Sequence, residues 1–233
     1  MPEHISKQFD LELESIRTRV LQMGGLVEQQ IRNAIDGLAR ADRDTLERVI
    51  ETDAQVNSME IGLDEECQLI IARRQPAAVD LRMVLTVIKT ITDLERIGDE
   101  AQKIARMGRL ILDADRVHVP RLREIHKMAE VALSMLRHAL DAFARLDVSA
   151  AMDVAKQDRY LDEDFSASLR QLITFMMEDP RTISMSIDTL FISKAIERIG
   201  DHSKNIAEYV VYLVKGKDIR HLAIEDAERA AGL

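Results

Sequence analysis

The sequence predicts an all-α protein: two tandem, structurally related antiparallel three-helix bundles made from six long helices. Three observations predict it. Apolar residues recur at alternating three- and four-residue spacing through six long segments, the period of one helix face. The composition is rich in Leu, Ile, Ala, Met, Glu, Arg and Asp, all compatible with helix. Only 9 Gly, 4 Pro, no Trp and 3% aromatic residues leave too few turn and β-formers for a sandwich or barrel. The pentapeptide Glu95-Arg96-Ile97-Gly98-Asp99 returns as Glu197-Arg198-Ile199-Gly200-Asp201, 102 residues later, the mark of an internal repeat.

The first helix is expected over 6–39, where Ile16, Val20, Met23, Val27, Ile31, Ala34 and Leu38 form one stripe. A second, over 42–74, stops before Pro76, and a third, over 78–112, ends in the polar stretch 113–120. The fourth covers 120–146, with Pro120 suited to a first-turn position. The fifth runs over 148–178 and stops before Pro180; the sixth, over 181–215, closes on Gly216, a good C-terminal cap. Each pentapeptide lies on the third helix of its set, and each set has a proline break before that helix. The expected division is therefore a first bundle at 1–116, a second at 117–216, and a partly flexible tail at 217–233 with room for a short helix. Connections this short favour antiparallel neighbours.

At 233 residues and 46% hydrophobic, the chain buries a real core and is no disordered segment. A net charge of −9 lacks the basic footprint that duplex nucleic acid demands. One cysteine, Cys67, excludes a disulfide framework and a cysteine-based zinc site, and suits a reducing compartment. Residues 1–10 carry no apolar signal core, and no apolar run reaches membrane-spanning length. The expectation is a soluble, cytoplasmic protein with no membrane insertion.

The chemistry lies in carboxylates placed where apolar residues belong. The second helix carries Leu46, Val49, Asp53, Val56, Glu60, Leu63, Cys67 and Ile70 on one stripe, with Asp53 inside it. The fifth repeats the pattern as Ala151, Val154, Asp158, Leu161, Phe165, Ser168, Leu172 and Phe175, with Asp158 at the same point. Burying a lone ionised carboxylate costs several kcal/mol, so each must be paired, protonated or metal-bound. On the third helix Glu95 falls within the apolar arc and Asp99 at its border; Glu197 and Asp201 occupy the same places on the sixth. Asp158 with Asp162 makes another acidic i, i+4 pair, and Asp53 with Asn57 an imperfect one. Such an oxygen-rich concentration suits a hard or borderline cation: Mg²⁺, Mn²⁺, Fe or Zn²⁺. The competing account is neutralisation by Arg96, Arg198 or other arginines as buried ion pairs. Gly98 and Gly200 are expected to permit close helix packing, since glycine otherwise costs a helix interior about 1 kcal/mol.

Other chemistries find little support. A di-iron bundle needs Glu-x-x-His on facing helices. The nearest approximations here are Asp115 with His118 and Asp218 with His221, near helix ends. His4, His126, His138 and His202 show no ligand spacing and are expected at the surface. There is no phosphate-binding glycine loop, no nucleophile elbow and no Cys/His arrangement, so Cys67 reads as core. Arg73-Arg74 and Arg121-Leu122-Arg123 read as solvated helix ends. The apolar surplus at Met176-Met177 and Val210-Val211-Tyr212-Leu213 is either inter-bundle packing or a partner surface. A metal-dependent hydrolase and a purely ion-paired helical scaffold stay open as alternatives.

Two tandem bundles with Glu-Arg-Ile-Gly-Asp on each third helix resemble the PhoU family. The likeness extends through Arg73-Arg74-Gln75-Pro76, Asp80-Leu81-Arg82, Asp179-Pro180-Arg181 and on from Asp201-His202 through Asn205-Ile206 to Tyr209, covering essentially the whole chain. It implies a cytoplasmic negative regulator of the phosphate starvation response and no enzyme. Its partners would be the ATPase subunit of the phosphate ABC transporter and a phosphate-sensing histidine kinase, and it would form a homodimer. It also implies a divalent or trivalent metal ion on the bundles through Glu/Asp-x-x-x-Asp motifs. Carried onto this chain, these are Glu95 with Asp99, Glu197 with Asp201 and Asp158 with Asp162. Asp53 with Asn57 departs from the motif, leaving the first bundle's cluster poorer in charge or differently filled.

Overall fold

A computed structural model describes residues 7–113 and 122–233. Seven helices occur among them: α1 (Lys7–Arg40), α2 (Arg43–Arg74), α3 (Ala78–Asp113), α4 (Leu122–Arg145), α5 (Val148–Glu178), α6 (Ile183–Lys215) and α7 (Ile224–Ala231). A single 3-10 turn, Pro180–Thr182, leads into α6. No described residue is in a strand. The break at 113–120, the role of Pro120 and the boundary at 116 fall outside the described residues, apart from Asp113 at the end of α3.

The start and stop signals act as local chemistry requires. Asp42 accepts a hydrogen bond from the Thr45 amide at 3.1 Å, and Asp147 one from the Ala150 amide at 3.0 Å. The two repeats thus cap their second helices in the same way. Gly216 closes α6 with φ +69°, a left-handed conformation glycine adopts without steric cost, and its amide donates to the Tyr212 carbonyl.

α1, α2 and α3 pack on one another, as do α4, α5 and α6. The two sets meet through α3 against α6, the most extensive helix pairing, and through α1 against α4. Both pairings are antiparallel. Arg82 at the start of α3 reaches the Leu213 carbonyl near the end of α6, while Glu100 further along α3 meets Arg198. Arg17 on α1 bonds the Ala144 carbonyl at 3.0 Å, and Glu28 pairs with Arg137 at 2.7 Å. α2 and α5 therefore flank a central layer, and one apolar core runs through both repeats. Leu13, Ile16, Leu46, Leu94, Ile97 and Phe143 are fully buried in it. Each such side chain contributes about 1.5–3 kcal/mol relative to exposure.

Of the apolar surplus, Val210, Val211 and Leu213 are buried, whereas Met177 stands 80% exposed. In the tail, α7 takes the place left for a short helix. Ile219, Ala227 and Ala231 are buried, and Glu228 pairs with Lys156 of α5 at 2.6 Å. Small alanines dock α7 closely while giving almost no apolar signal in the sequence.

Candidate functional site

Each repeat carries its carboxylates where its second and third helices face each other. In the second repeat, Asp158 lies on the buried stripe of α5 and is only 5% exposed. Asp162 follows one turn later, exposed, and Asp201 comes across from α6. One oxygen from each of Asp158, Asp162 and Asp201 lies within 4.8 Å of the others, the tightest acidic trio among the described residues. Glu197, one turn before Asp201, completes the group.

Charge of one sign cannot crowd like this unopposed. Burial, then Glu197, Asp158 and Asp162, push the Asp201 carboxyl up to about 6. Burial, then Asp158 and Glu197, raise Asp162 as well. Two lysines relieve the repulsion. The Lys194 ammonium donates to both Glu197 oxygens at 2.6 and 2.5 Å, and Lys204 donates to Asp158 Oδ2 at 2.7 Å. Burial works against the Lys204 charge, but the hydrogen bond to Asp158 and the nearby carboxylates outweigh it and raise its pKa. The other Asp158 oxygen, Oδ1, is buried without a hydrogen-bond partner.

In the first repeat Asp53 takes the place of Asp158 on α2, again 5% exposed. Asn57 donates weakly to Asp53 Oδ2 at 3.4 Å, leaving Asp53 Oδ1 and Asn57 Oδ1 buried and unpartnered. Glu95 is half-buried and Asp99 exposed on α3. Burial first, then Asp99, raises the pKa of both Asp53 and Glu95. Glu60, one turn beyond Asn57, is an acid of the site that the motif spacing omits. It accepts from Thr92 Oγ1 at 3.4 Å, its pKa is raised by burial above all, and it adds to the charge felt by Glu95. The first cluster is therefore as rich in carboxylates as the second, because Glu60 compensates for Asn57. The signal was present in its position on the α2 stripe, seven residues after Asp53.

Beneath this cluster lies Gln30 of α1, buried, with neither amide atom hydrogen-bonded. A Cβ on Gly98 would sit 3.3 Å from Gln30 Oε1 and 3.5 Å from Asp53 Oδ1, so both oxygens face the space left by the glycine. Unpartnered buried oxygens beside acidic groups, with no nitrogen or sulfur donor among them, are a donor set that fits a hard cation.

The PhoU domain model matches residues 20–107 and again 125–210. The chain belongs to the PhoU family. The phosphate-specific transport system accessory protein PhoU of Escherichia coli K12 is 46% identical over 227 residues, 97% of this chain and 93% of that protein. The crystal structure of PhoU from Pseudomonas aeruginosa superposes with a TM-score of 0.87 at 46% identity, covering 90% of this chain and 100% of that one. The phosphate transport system regulatory protein PhoU from Streptococcus pneumoniae gives 0.83 at 31% identity, over 90% and 98% of the two chains.

In this PhoU-family chain the ion pairing differs from the arginine scheme that spacing suggested. Arg198 pairs with Glu100 at 3.2 Å across the α3/α6 contact, and Arg96 is exposed and only moderates Glu60 and Glu95 from a distance. His202 is not at the surface. It is buried, its Nδ1 is 2.7 Å from Asp93 Oδ1, and Asn205 donates to the same oxygen at 3.2 Å. His126, His138 and His221 are exposed; His4, His118 and Asp115 lie outside the described residues. Cys67 is core, and burial pushes its thiol up to about 12. No described helix is long and apolar enough to cross a membrane.

Proposed function

We propose that this chain is a cytoplasmic negative regulator of the phosphate starvation response and not an enzyme. It would couple the ATPase subunit of a phosphate ABC transporter to a phosphate-sensing histidine kinase through protein–protein contacts, and so control phosphate uptake. The observation that carries this reading is the full-length likeness to phosphate-transport accessory proteins, repeated in both halves. A regulator of this kind needs different affinities for two partner states. A rigid layer of α1, α3, α4 and α6 would present the docking surfaces. Exposed apolar side chains such as Met177 and Phe191 are available for a partner or for a second copy in a homodimer.

The carboxylates would hold metal ions that tie α2 to α3 and α5 to α6. Asp53, Glu95 and Asp99 would serve the first repeat; Asp158, Asp162, Glu197 and Asp201 the second. A bound cation would supply charge neutralisation and cross-linking between helices, with no reaction centre required. The oxygen-only donors favour Mg²⁺, Mn²⁺ or Fe over Zn²⁺. Lys194 and Lys204 favour a second reading for the second repeat, a purely ion-paired cluster.

The test is a starvation-response reporter in cells whose own copy is deleted. Wild-type chain should restore repression in phosphate-rich medium, and a Glu197→Ala/Asp201→Ala double variant that folds should leave the response derepressed. Normal repression by that variant would remove the clusters from the mechanism, and failure of the wild type to repress would remove the regulatory reading.

A further inference from the structure

The two carboxylate clusters are built on the same frame but filled differently. Position by position, Asp53 corresponds to Asp158, Asn57 to Asp162, Glu60 to Phe165, Glu95 to Glu197 and Asp99 to Asp201. Lys194 and Lys204 correspond to Thr92 and Gln102. In the second repeat the lysine charges reach Glu197 and Asp158 directly, and Lys194 also sits 5.3 Å from the centre of the Phe165 ring that replaces Glu60. In the first repeat Thr92 donates to Glu60, and Gln102 turns away to the Ile50 carbonyl. Among the described residues, no lysine or arginine forms an ion pair with Asp53, Glu60, Glu95 or Asp99. Arg96 and Arg106 act on them only at longer range.

The floors differ too. Around Gly98 the glycine space is bordered by Gln30 Oε1, Asp53 Oδ1 and Val56. Around Gly200 it is closed by Leu161 and Met135, the counterparts of Val56 and Gln30. The first repeat thus has an extra neutral oxygen donor, 2% exposed and without a hydrogen-bond partner, where the second has a thioether. Asp158, Asp162 and Asp201 each bring one oxygen within 4.8 Å of the others, while in the first repeat the place of Asp162 is taken by Asn57, whose amide oxygen is buried and unpartnered.

We infer that the two sites have divided roles: the first repeat holds a resident hard cation with Gln30 Oε1 as an inner donor from α1, and the second is an exchangeable site whose cation must displace Lys194 and Lys204. This rests on the proposal that the clusters bind metal. A buried carbonyl oxygen costs nothing to deprotonate and is already stripped of water, so contact with a cation satisfies it. At the second site each incoming cation must break charge-assisted hydrogen bonds that water does not fully replace. The first site also draws its cation against one more helix, since Gln30 ties α1 to the α2/α3 pair.

The experiment is a Mn²⁺ titration of the full chain after chelation, with free Mn²⁺ read by electron paramagnetic resonance. Wild type should show two classes of site at least tenfold apart. Gln30→Met, which copies the second repeat, should weaken the tight class by about 10–100-fold, the usual range for a lost supporting group, and leave the weak class unchanged. Gln30→Glu keeps an oxygen donor and should retain the tight class. The Lys194→Thr/Lys204→Gln variant, which copies the first repeat at two half-buried positions, should tighten the weak class at least tenfold. A single class in wild type overturns the division of roles, as does a Gln30→Met effect confined to the weak class. So does a lysine variant with unchanged affinities. No Mn²⁺ binding by any of these proteins would overturn the metal reading itself.

Discussion

Replacing Gly200 with alanine tests how tightly α6 is seated against its neighbours. A methyl group there would fall well inside 3.0 Å of Leu161 Cδ2 and 3.6 Å from Met135 Sδ. Both neighbours are fully buried, so neither can swing into solvent. Overpacking of this kind costs about 1–3 kcal/mol, and the better helix propensity of alanine returns about 1 kcal/mol. The net loss should be at most about 2 kcal/mol. Gly25 is the control: it is also inside a long helix, but nothing lies within 4 Å of where its methyl group would stand. Gly25→Ala should therefore stabilise by about 0.5–1 kcal/mol. The assay is thermal unfolding with a chelator present, so that metal does not contribute. For a chain of this size the pair should differ in thermal midpoint by roughly 1–12 °C, with Gly200→Ala the lower. A Gly200→Ala protein stabilised as much as Gly25→Ala would refute the close-packing argument and show that Leu161 repacks freely.

Three further outcomes follow from the same geometry. Chelated protein should become more stable as pH falls from 7 to 5, measured by its thermal midpoint. Asp53, Glu60, Glu95, Asp162 and Asp201 all have raised pKa values, Asp201 up to about 6, so the folded state binds more protons in this range. That stabilisation is complete below the unfolded carboxyl value of 3.8 and is lost as pH rises through about 6. Carboxyls held low by arginine partners, such as Glu12 beside Arg74, act below this window. His202→Ala should cost about 2–3 kcal/mol in denaturant unfolding, because it strips a buried carboxylate, Asp93, of its closest partner between the repeats. Cys67 should react with a thiol reagent only after unfolding, since it is buried and its thiolate is strongly disfavoured.

The helices and the repeat could be read from sequence because their signals are local. Three-and-four spacing fixes the buried face of α2 almost residue for residue, and Asp42, Pro76, Pro180 and Gly216 mark ends by their own backbone chemistry. Asp53 and Asp158 stand out because each breaks an apolar stripe. What escapes such a reading depends on contacts between distant segments. Asp93, Glu100 and His202 are ordinary polar residues along their own helices, and are buried only because α3 lies against α6. Gln30 is, in sequence, one more polar neighbour of the α1 stripe; only the closure of α2 and α3 over it makes it part of the site. The lysines are partly visible: Lys194 precedes Glu197 by three residues, and Lys204 follows Asp201 by three, spacings that place them on the acidic face. The arginines are more conspicuous because they adjoin the glutamates in sequence, although neighbours one residue apart point in different directions on a helix.

The measurement that bears most directly on the account is elemental analysis of purified, tag-free protein before and after chelation, with the thermal midpoint recorded on the same samples. The account predicts about one or more hard cations per chain and a midpoint that falls when they are removed and recovers when they are returned. A protein that carries no metal and melts unchanged with or without chelator would contradict it, and would leave Asp53, Glu95, Asp99, Asp158, Asp162, Glu197 and Asp201 as ion-paired or partner-contacting acids.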